Sequence, residues 1–210
     1  MGETDLGADP ARKPGLGSTL KLALAAVIVV GVASAVYVIG GAGLKPAGEA
    51  SLQSLARNGM EKLQVVTPKP PPAKTFLDAD GKAVTLADFR GEVLVVNLWA
   101  TWCAPCKVEM PTLAALQKAY EGQPVKVLAI SIDKEDQTAA AKAFMAQNAP
   151  LGFYQEASLM LPYSFDPYVQ GFPTTVLYDK AGQERARLVG EADWSTPEAK
   201  AVVDHLLALD

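Results

Sequence analysis

Apolar residues are distributed along this chain in three regimes. From Leu22 to Leu44 the sequence LALAAVIVVGVASAVYVIGGAGL runs with no charge between Lys21 and Lys45. As a helix rising about 1.5 Å per residue, this stretch spans roughly 35 Å, enough for the hydrocarbon core of a bilayer. Residues 1–21 before it are polar and rich in Gly and Pro, the composition of a disordered tail. Residues 45–74 read as a linker. Within it Ser51–Val66 fits a short helix through Leu52, Leu55, Leu63 and Val66, and PKPPPAK, Pro68 to Lys74, fits a stiff extended spacer. From there to residue 210 the composition is mixed and globular.

The globular part alternates strand and helix signals. Ala73–Leu77 and Lys82–Thr85 flank DADG, a hairpin signal. EVLVVNLWA, Glu92–Ala100, is nearly continuous in apolar residues, which suits a central strand buried on both faces. Ala104–Glu121 reads as a helix with Val108, Leu113, Leu116 and Tyr120 on its apolar side and a kink at Pro111. Val125–Ile132 is a second buried strand and Glu135–Asn148 a second helix. Strand, helix and strand at this spacing predict a βαβ unit and a parallel pairing. Leu151–Gln155 adds a short strand, Ala157–Gln170 an irregular or helical insert, and Thr174–Asp179 with Gln183–Val189 an antiparallel pair. A capping box of Ser195 and Glu198, with Pro197 in the first turn, opens a last helix with Val202, Val203, Leu206 and Leu207 inward.

Charge narrows the function classes. The net charge is −4 and no Lys/Arg-rich run occurs, so nucleic acid is not an expected partner. The single histidine, His205, rules out a two-histidine metal site and lies in an amphipathic C-terminal helix, where it reads as a surface residue. For Leu22–Leu44, a cleaved signal peptide would carry a shorter apolar core, although Ala33-Ser34-Ala35 resembles a cleavage site. A buried core helix would be apolar on every side. The preferred reading is an uncleaved membrane anchor. Arg12, Lys13 and Lys21 precede it, against Lys45 and Arg57 beyond, which biases the N-terminus to the cytoplasm. The following domain would then lie outside, in the periplasm, where disulfides persist.

The chain has two cysteines, both in LWATWCAPCKVEMP. A structural zinc site needs about four ligands, and two cysteines with one distant histidine do not supply them. A Cu(I) site of two thiolates is chemically possible, with Met110 the nearest candidate for a further ligand. A clasp over so short a loop would remove little unfolded-state entropy. The redox reading has a positive mechanism. Cys103 follows a central strand and opens a helix, where unpaired N–H groups and the helix dipole favour thiolate. Cys106, one turn on, is placed to attack a mixed disulfide formed at Cys103. GFPTT, Gly171–Thr175, precedes a strand, and its Pro173 is a candidate for a cis peptide bond.

VVNLWATWCAPCKVEMP, GFPTT before a strand, and DGK with LADFRG ahead of the first central strand resemble the thioredoxin superfamily, specifically the membrane-anchored TlpA/ResA/CcmG group, closest to TlpA. The resemblance spans about Thr75 to Leu209. It implies an α/β thioredoxin fold: a central mixed sheet flanked by helices, with an N-terminal β-hairpin and an insert after the βαβ unit, preceded by one transmembrane helix. It implies Cys103 as exposed nucleophile and Cys106 as buried resolving thiol, cycling as a redox-active disulfide. Pro173 would lie against that disulfide, with Trp102, Ala104, Pro105, Phe172 and Thr174 around the substrate groove. It implies a thiol-disulfide oxidoreductase with no cofactor or metal, and nothing in the sequence points beyond a monomer. Electrons would come from a membrane thiol reductant of the CcdA or DsbD kind. Substrates would be protein disulfides, in apocytochrome c or in copper-delivery proteins for cytochrome oxidase.

The chain departs from ordinary thioredoxin where that family buries an aspartate: Asn97 stands there, and its lysine partner falls on Ala129. Glu109 is the candidate replacement. It lies three residues beyond Cys106 on the same helix face, matching an acidic residue of the ResA/CcmG type. If buried, its pKa rises, which suits proton exchange with Cys106 near neutral pH. Two alternatives share the same cysteines: a Cu(I) carrier, and a thiol peroxidase, which would form sulfenic acid at Cys103.

Overall fold

The computed structural model describes residues 52–209. The tail expected at 1–21 and the membrane span expected at 22–44 lie outside the described residues. Among the described residues, no helix is long and apolar enough to cross a membrane.

The sheet has eight strands: β1 (Leu63–Lys69), β2 (Phe76–Leu77), β3 (Ala83–Val84), β4 (Val93–Trp99), β5 (Val125–Ser131), β6 (Tyr154–Gln155), β7 (Thr174–Tyr178) and β8 (Glu184–Val189). Their order is β1-β8-β7-β4-β5-β6-β2-β3. β4, β5 and β6 run parallel, and the other pairings are antiparallel, so the sheet is mixed. Among the described residues, helices α1 (Ala104–Ala119), α2 (Thr138–Met145), α3 (Leu161–Ser164) and α4 (Pro197–Leu207) accompany it.

All of β4 is buried, as its continuous apolar run requires. Alternation then assigns its side chains to two cores. Val93, Val95 and Trp99 join the core under α1 and α4. Leu94, Val96 and Leu98 join a second core with Phe76, Leu86, Leu161, Phe165 and Val169. The second core is therefore roofed by the hairpin region and by the insert between β6 and β7. The expected hairpin, βαβ unit, insert, second antiparallel pair and final helix all occur in that order.

Several local expectations are corrected. Residues 52–54 are helical, but Leu63–Lys69 is the edge strand β1, paired antiparallel with β8. The helix expected over 51–66 and the spacer beginning at Pro68 therefore give way to a strand. An edge strand tolerates Pro68 because one of its sides makes no ladder bonds. Leu52, Met60 and Leu63 are fully buried in the first core, so part of the expected linker packs with the sheet. Val108 is 72% exposed and points away from the core that Leu113, Leu116 and Tyr120 enter. Thr196, not Ser195, caps α4: its hydroxyl accepts the Ala199 N–H at 3.2 Å, while Ser195 turns to Asp193. Helix α1 continues through Pro111.

Candidate active site

Strand β4 ends at Trp99 and α1 begins at Ala104, so the connection carries Thr101, Trp102 and Cys103 across the C-terminal edge of the parallel strands. Cys103 is the N-cap of α1, with Ala104 exposed and Pro105 half-buried in the first turn. A proline fits there because its missing N–H would have no intrahelical partner. The Cys106 N–H donates to Cys103 Sγ at 3.3 Å. The two cysteines form a disulfide with a Cα–Cα distance of 5.3 Å. Cys103 is 5% exposed and Cys106 0%, so the exposed nucleophile implied by resemblance is, in the disulfide, a nearly covered sulfur. The accessibility order still favours attack at Cys103.

The connection is pinned from below. Asp133, fully buried just after β5, accepts the Thr101 N–H at 2.9 Å, the Thr101 hydroxyl at 2.7 Å and the Ser131 hydroxyl at 2.9 Å. Buried carboxylates with several donors are satisfied without a cation. This anchor was not read from sequence; the polar SID ending of an apolar strand was its one signal.

Glu109 lies one turn after Cys106 and is 2% exposed. Asn97 Nδ2 donates to it at 2.6 Å and to the Thr175 hydroxyl at 3.0 Å, and the Ala192 N–H reaches its other oxygen at 3.2 Å. No cation is among these hydrogen-bond partners. Burial pushes the Glu109 pKa up, the Asn97 and Ala192 donors pull it partly back, and the result is about 7. Thus the residue in the thioredoxin aspartate position holds the substitute acid rather than acting as one. Asn97 belongs to β4, Thr175 to β7 and Ala192 to the loop before α4, so only the assembled sheet brings them together.

Pro173 is buried at the start of β7, and the Phe172–Pro173 peptide is cis. Thr174 pairs with Leu98 of β4, which sets the GFPTT loop beside the end of the strand that leads to Cys103. Trp102, 58% exposed, meets Phe172 edge-on with centroids 5.9 Å apart, joining the two loops. Thr174 is buried, and its hydroxyl bonds the Gly171 carbonyl at 2.7 Å, so it closes the loop rather than facing the groove. Beside Trp102 and Phe172 lies a cleft of about 480 Å³ walled further by Ile132 after β5 and by the insert, through Leu159, Pro162, Tyr163, Tyr168 and Val169. Ionisable carboxylates, lysines and arginines are missing from its lining. Met110, named above as a possible copper ligand, is fully buried in the first core, and His205 lies in the last turn of α4. Among the described residues, no group of three or more His, Cys, Asp or Glu side chains could hold a metal ion.

Comparison with known proteins agrees with this geometry. Residues 64–203 match the family model described as Redoxin. The thiol-disulfide oxidoreductase ResA of Bacillus cereus is 31% identical over 134 residues, covering 62% of this chain and 73% of that protein. ResA of Geobacillus thermodenitrificans is 30% identical over 132 residues, with the same two coverages. Among solved structures, a provisionally named thiol:disulfide interchange protein DsbE of Chlorobium tepidum superposes with a TM-score of 0.59 at 25% identity, covering 68% of this chain and 99% of that one.

Proposed function

Since the chain belongs to the Redoxin family and is a ResA-like thiol-disulfide oxidoreductase, we propose that it reduces disulfides of client proteins outside the cytoplasm, tethered to the inner membrane through residues 22–44. The observation that carries the reading is the Cys103–Cys106 disulfide at the start of α1, one turn from a buried carboxyl that titrates near neutrality.

In the reduced protein, Cys103 thiolate, favoured by the N-terminus of α1, attacks one sulfur of the client disulfide. The first client thiolate leaves and takes a proton. Cys106 then gives its proton to the Glu109 carboxylate and attacks Cys103 Sγ. This breaks the mixed disulfide, expels the second client thiolate, and forms the disulfide described here. Glu109 returns the proton to the departing client or to solvent. Two electrons pass from the protein to the client, and a membrane thiol reductant of the CcdA or DsbD kind restores the dithiol. Pro173 and Phe172 shape the approach to Cys103, with Trp102, Ala104 and Pro105 on the opposite side.

We read the clients as apocytochrome c or copper-delivery proteins of oxidase assembly. A Cys106→Ser variant tests this: mixed with an oxidised peptide bearing Cys-x-x-Cys-His, the haem-attachment spacing, it should accumulate a mixed disulfide at Cys103. An oxidised copper-delivery protein is the parallel probe. Capture of neither would remove the client assignment, while capture at another residue would remove the nucleophile assignment.

A further inference from the structure

The insert that walls the cleft is held at both ends by buried charge. At its start, Glu156, 5% exposed, accepts the N–H groups of Ser158 at 3.1 Å, Met160 at 2.9 Å and Leu161 at 3.0 Å, and also bonds the Ser158 hydroxyl. Its partners enclose Leu159, a cleft residue with φ of 60°, a left-handed conformation unusual for a branched side chain. At its end, Arg187 of β8 is 7% exposed. It forks onto both carboxylate oxygens of Glu184, donates to the carbonyls of Asp166 and Pro167, and lies over the Phe165 ring with 5.4 Å to the centroid.

Glu184 and Arg187 are three residues apart, an odd spacing that would place them on opposite faces of a regular strand. The β7–β8 register shifts between Leu177 and Tyr178: Leu177 faces Ala186, and Tyr178 faces Glu184. A bulge therefore absorbs Arg185 and brings Glu184 and Arg187 to the same face, the one the insert covers. The two carbonyls that Arg187 holds immediately precede Tyr168 and Val169. The Val169 N–H closes the loop onto the Pro162 carbonyl at 2.9 Å. Arg187 itself does not line the cleft.

We propose that Arg187, oriented by Glu184, is a positioning residue for client recognition: it fixes the backbone at 166–167 and so sets Tyr168 and Val169 against the client segment that flanks the disulfide under attack. The proposal rests on the reading of protein disulfides as substrates. The insert side of the cleft carries no charged side chain and presents Tyr163, Tyr168, Pro162 and Val169, so it fits an apolar client segment. Lys134 and Asp136 lie beyond Trp102 and Leu159 in the adjoining pocket. Its rigidity spares the ordering cost that a mobile loop would add on binding. A planar guanidinium reaches a carboxylate and two carbonyls at once, a set that an ammonium cannot match.

The test replaces the pair together, Glu184→Leu with Arg187→Met, because removing one partner leaves a buried charge and can unfold the protein, whereas apolar replacement of both is often neutral for stability. Wild type, the double variant and Arg187→Lys, recycled by dithiothreitol with the protein-free rate subtracted, are compared on insulin, a protein disulfide, and on oxidised glutathione. Positioning predicts a KM for insulin raised about tenfold in the double variant, with kcat and the glutathione rate within about twofold of wild type. Arg187→Lys should fall between. Equal KM on insulin, or equal losses on both substrates, overturns the proposal. Amide exchange of residues 165–170 is read in the same proteins without substrate. If wild type shows no preference for insulin over glutathione, the protein-client reading fails, and exchange decides the clamp: faster exchange in the double variant upholds it, and unchanged exchange overturns it.

Discussion

Glu109 and Glu156 are both almost fully buried, at 2% and 5% exposure, with opposite consequences. Glu109 faces the core under α1 and α4 and receives one amide N–H and one backbone N–H, with a smaller lowering contribution from the Trp194 side chain and no cation among its hydrogen-bond partners. Burial dominates, and its pKa rises to about 7. Glu156, at the insert, also suffers burial, but the Ser158 hydroxyl and the N–H groups of Leu161, Ser158 and Met160 outweigh it and hold its pKa below the usual value. Lys74 lies 3.7 Å away as well. A larger desolvation cost at Glu109 and more donors at Glu156 together decide which carboxyl can exchange a proton at neutral pH. The donor-poor one sits next to the cysteines, and the donor-rich one builds the wall beside them.

The largest expected effect comes from removing the acceptor at the insert. Glu156→Leu leaves the buried Leu161 N–H and two part-buried N–H groups without their partner, and urea unfolding should show a loss of about 4 kcal/mol. At Glu109 the expected signature is in the pH dependence. Because the folded pKa lies above the unfolded value, the folded state holds the proton more tightly, and wild-type stability falls as pH rises from about 4.5 to about 7, then levels. At about 1.4 kcal/mol per unit, the fall is roughly 3 kcal/mol. Glu109→Gln, which cannot ionise, should flatten that slope in unfolding curves taken across the range. It should also remove an ionisation near pH 7 from the rate of client reduction.

A subtler change sharpens the contrast by altering only the donors. Asn97→Ala removes the side-chain hydrogen bond that lowers the Glu109 pKa, and carboxyl NMR titration should find it shifted further up. The smallest effect on stability belongs to Trp102→Ala: at 58% exposure it should move the unfolding free energy by about 0.5 kcal/mol or less. The same variant should slow reaction with a protein disulfide, because the ring borders the cleft.

Much of this molecule is legible in its sequence, and the gaps have physical causes. β4 and β5 announce themselves because burial on both faces gives nearly continuous apolar runs, interrupted only by Asn97 in β4 and by Lys126 and Ser131 in β5. Cys103, Cys106 and the proline of GFPTT are local signals, readable within a few residues. β1 was hidden because an edge strand with Pro68 carries neither alternation nor a continuous apolar run. Val108 was misassigned because Cys106, Glu109 and Met110 take the inward positions of the first turns of α1. Glu109 could be named from its spacing, but its surroundings could not, since Thr175 and Ala192 lie 78 residues from Asn97 and 83 from Glu109 respectively. The Glu184–Arg187 pair was invisible for a different reason: a bulge reverses the facing that period-two counting assigns.

The most direct test of the central claim, reductive exchange at Cys103–Cys106, is the reduction potential of the pair, measured by equilibrating residues 52–210 against a dithiothreitol or glutathione couple and following tryptophan fluorescence. The account predicts a two-electron transition at about −270 mV or slightly above, the range of thioredoxin-like reductants. A value near −120 mV, that of a strong oxidant, would contradict it and make the protein a donor of disulfides instead.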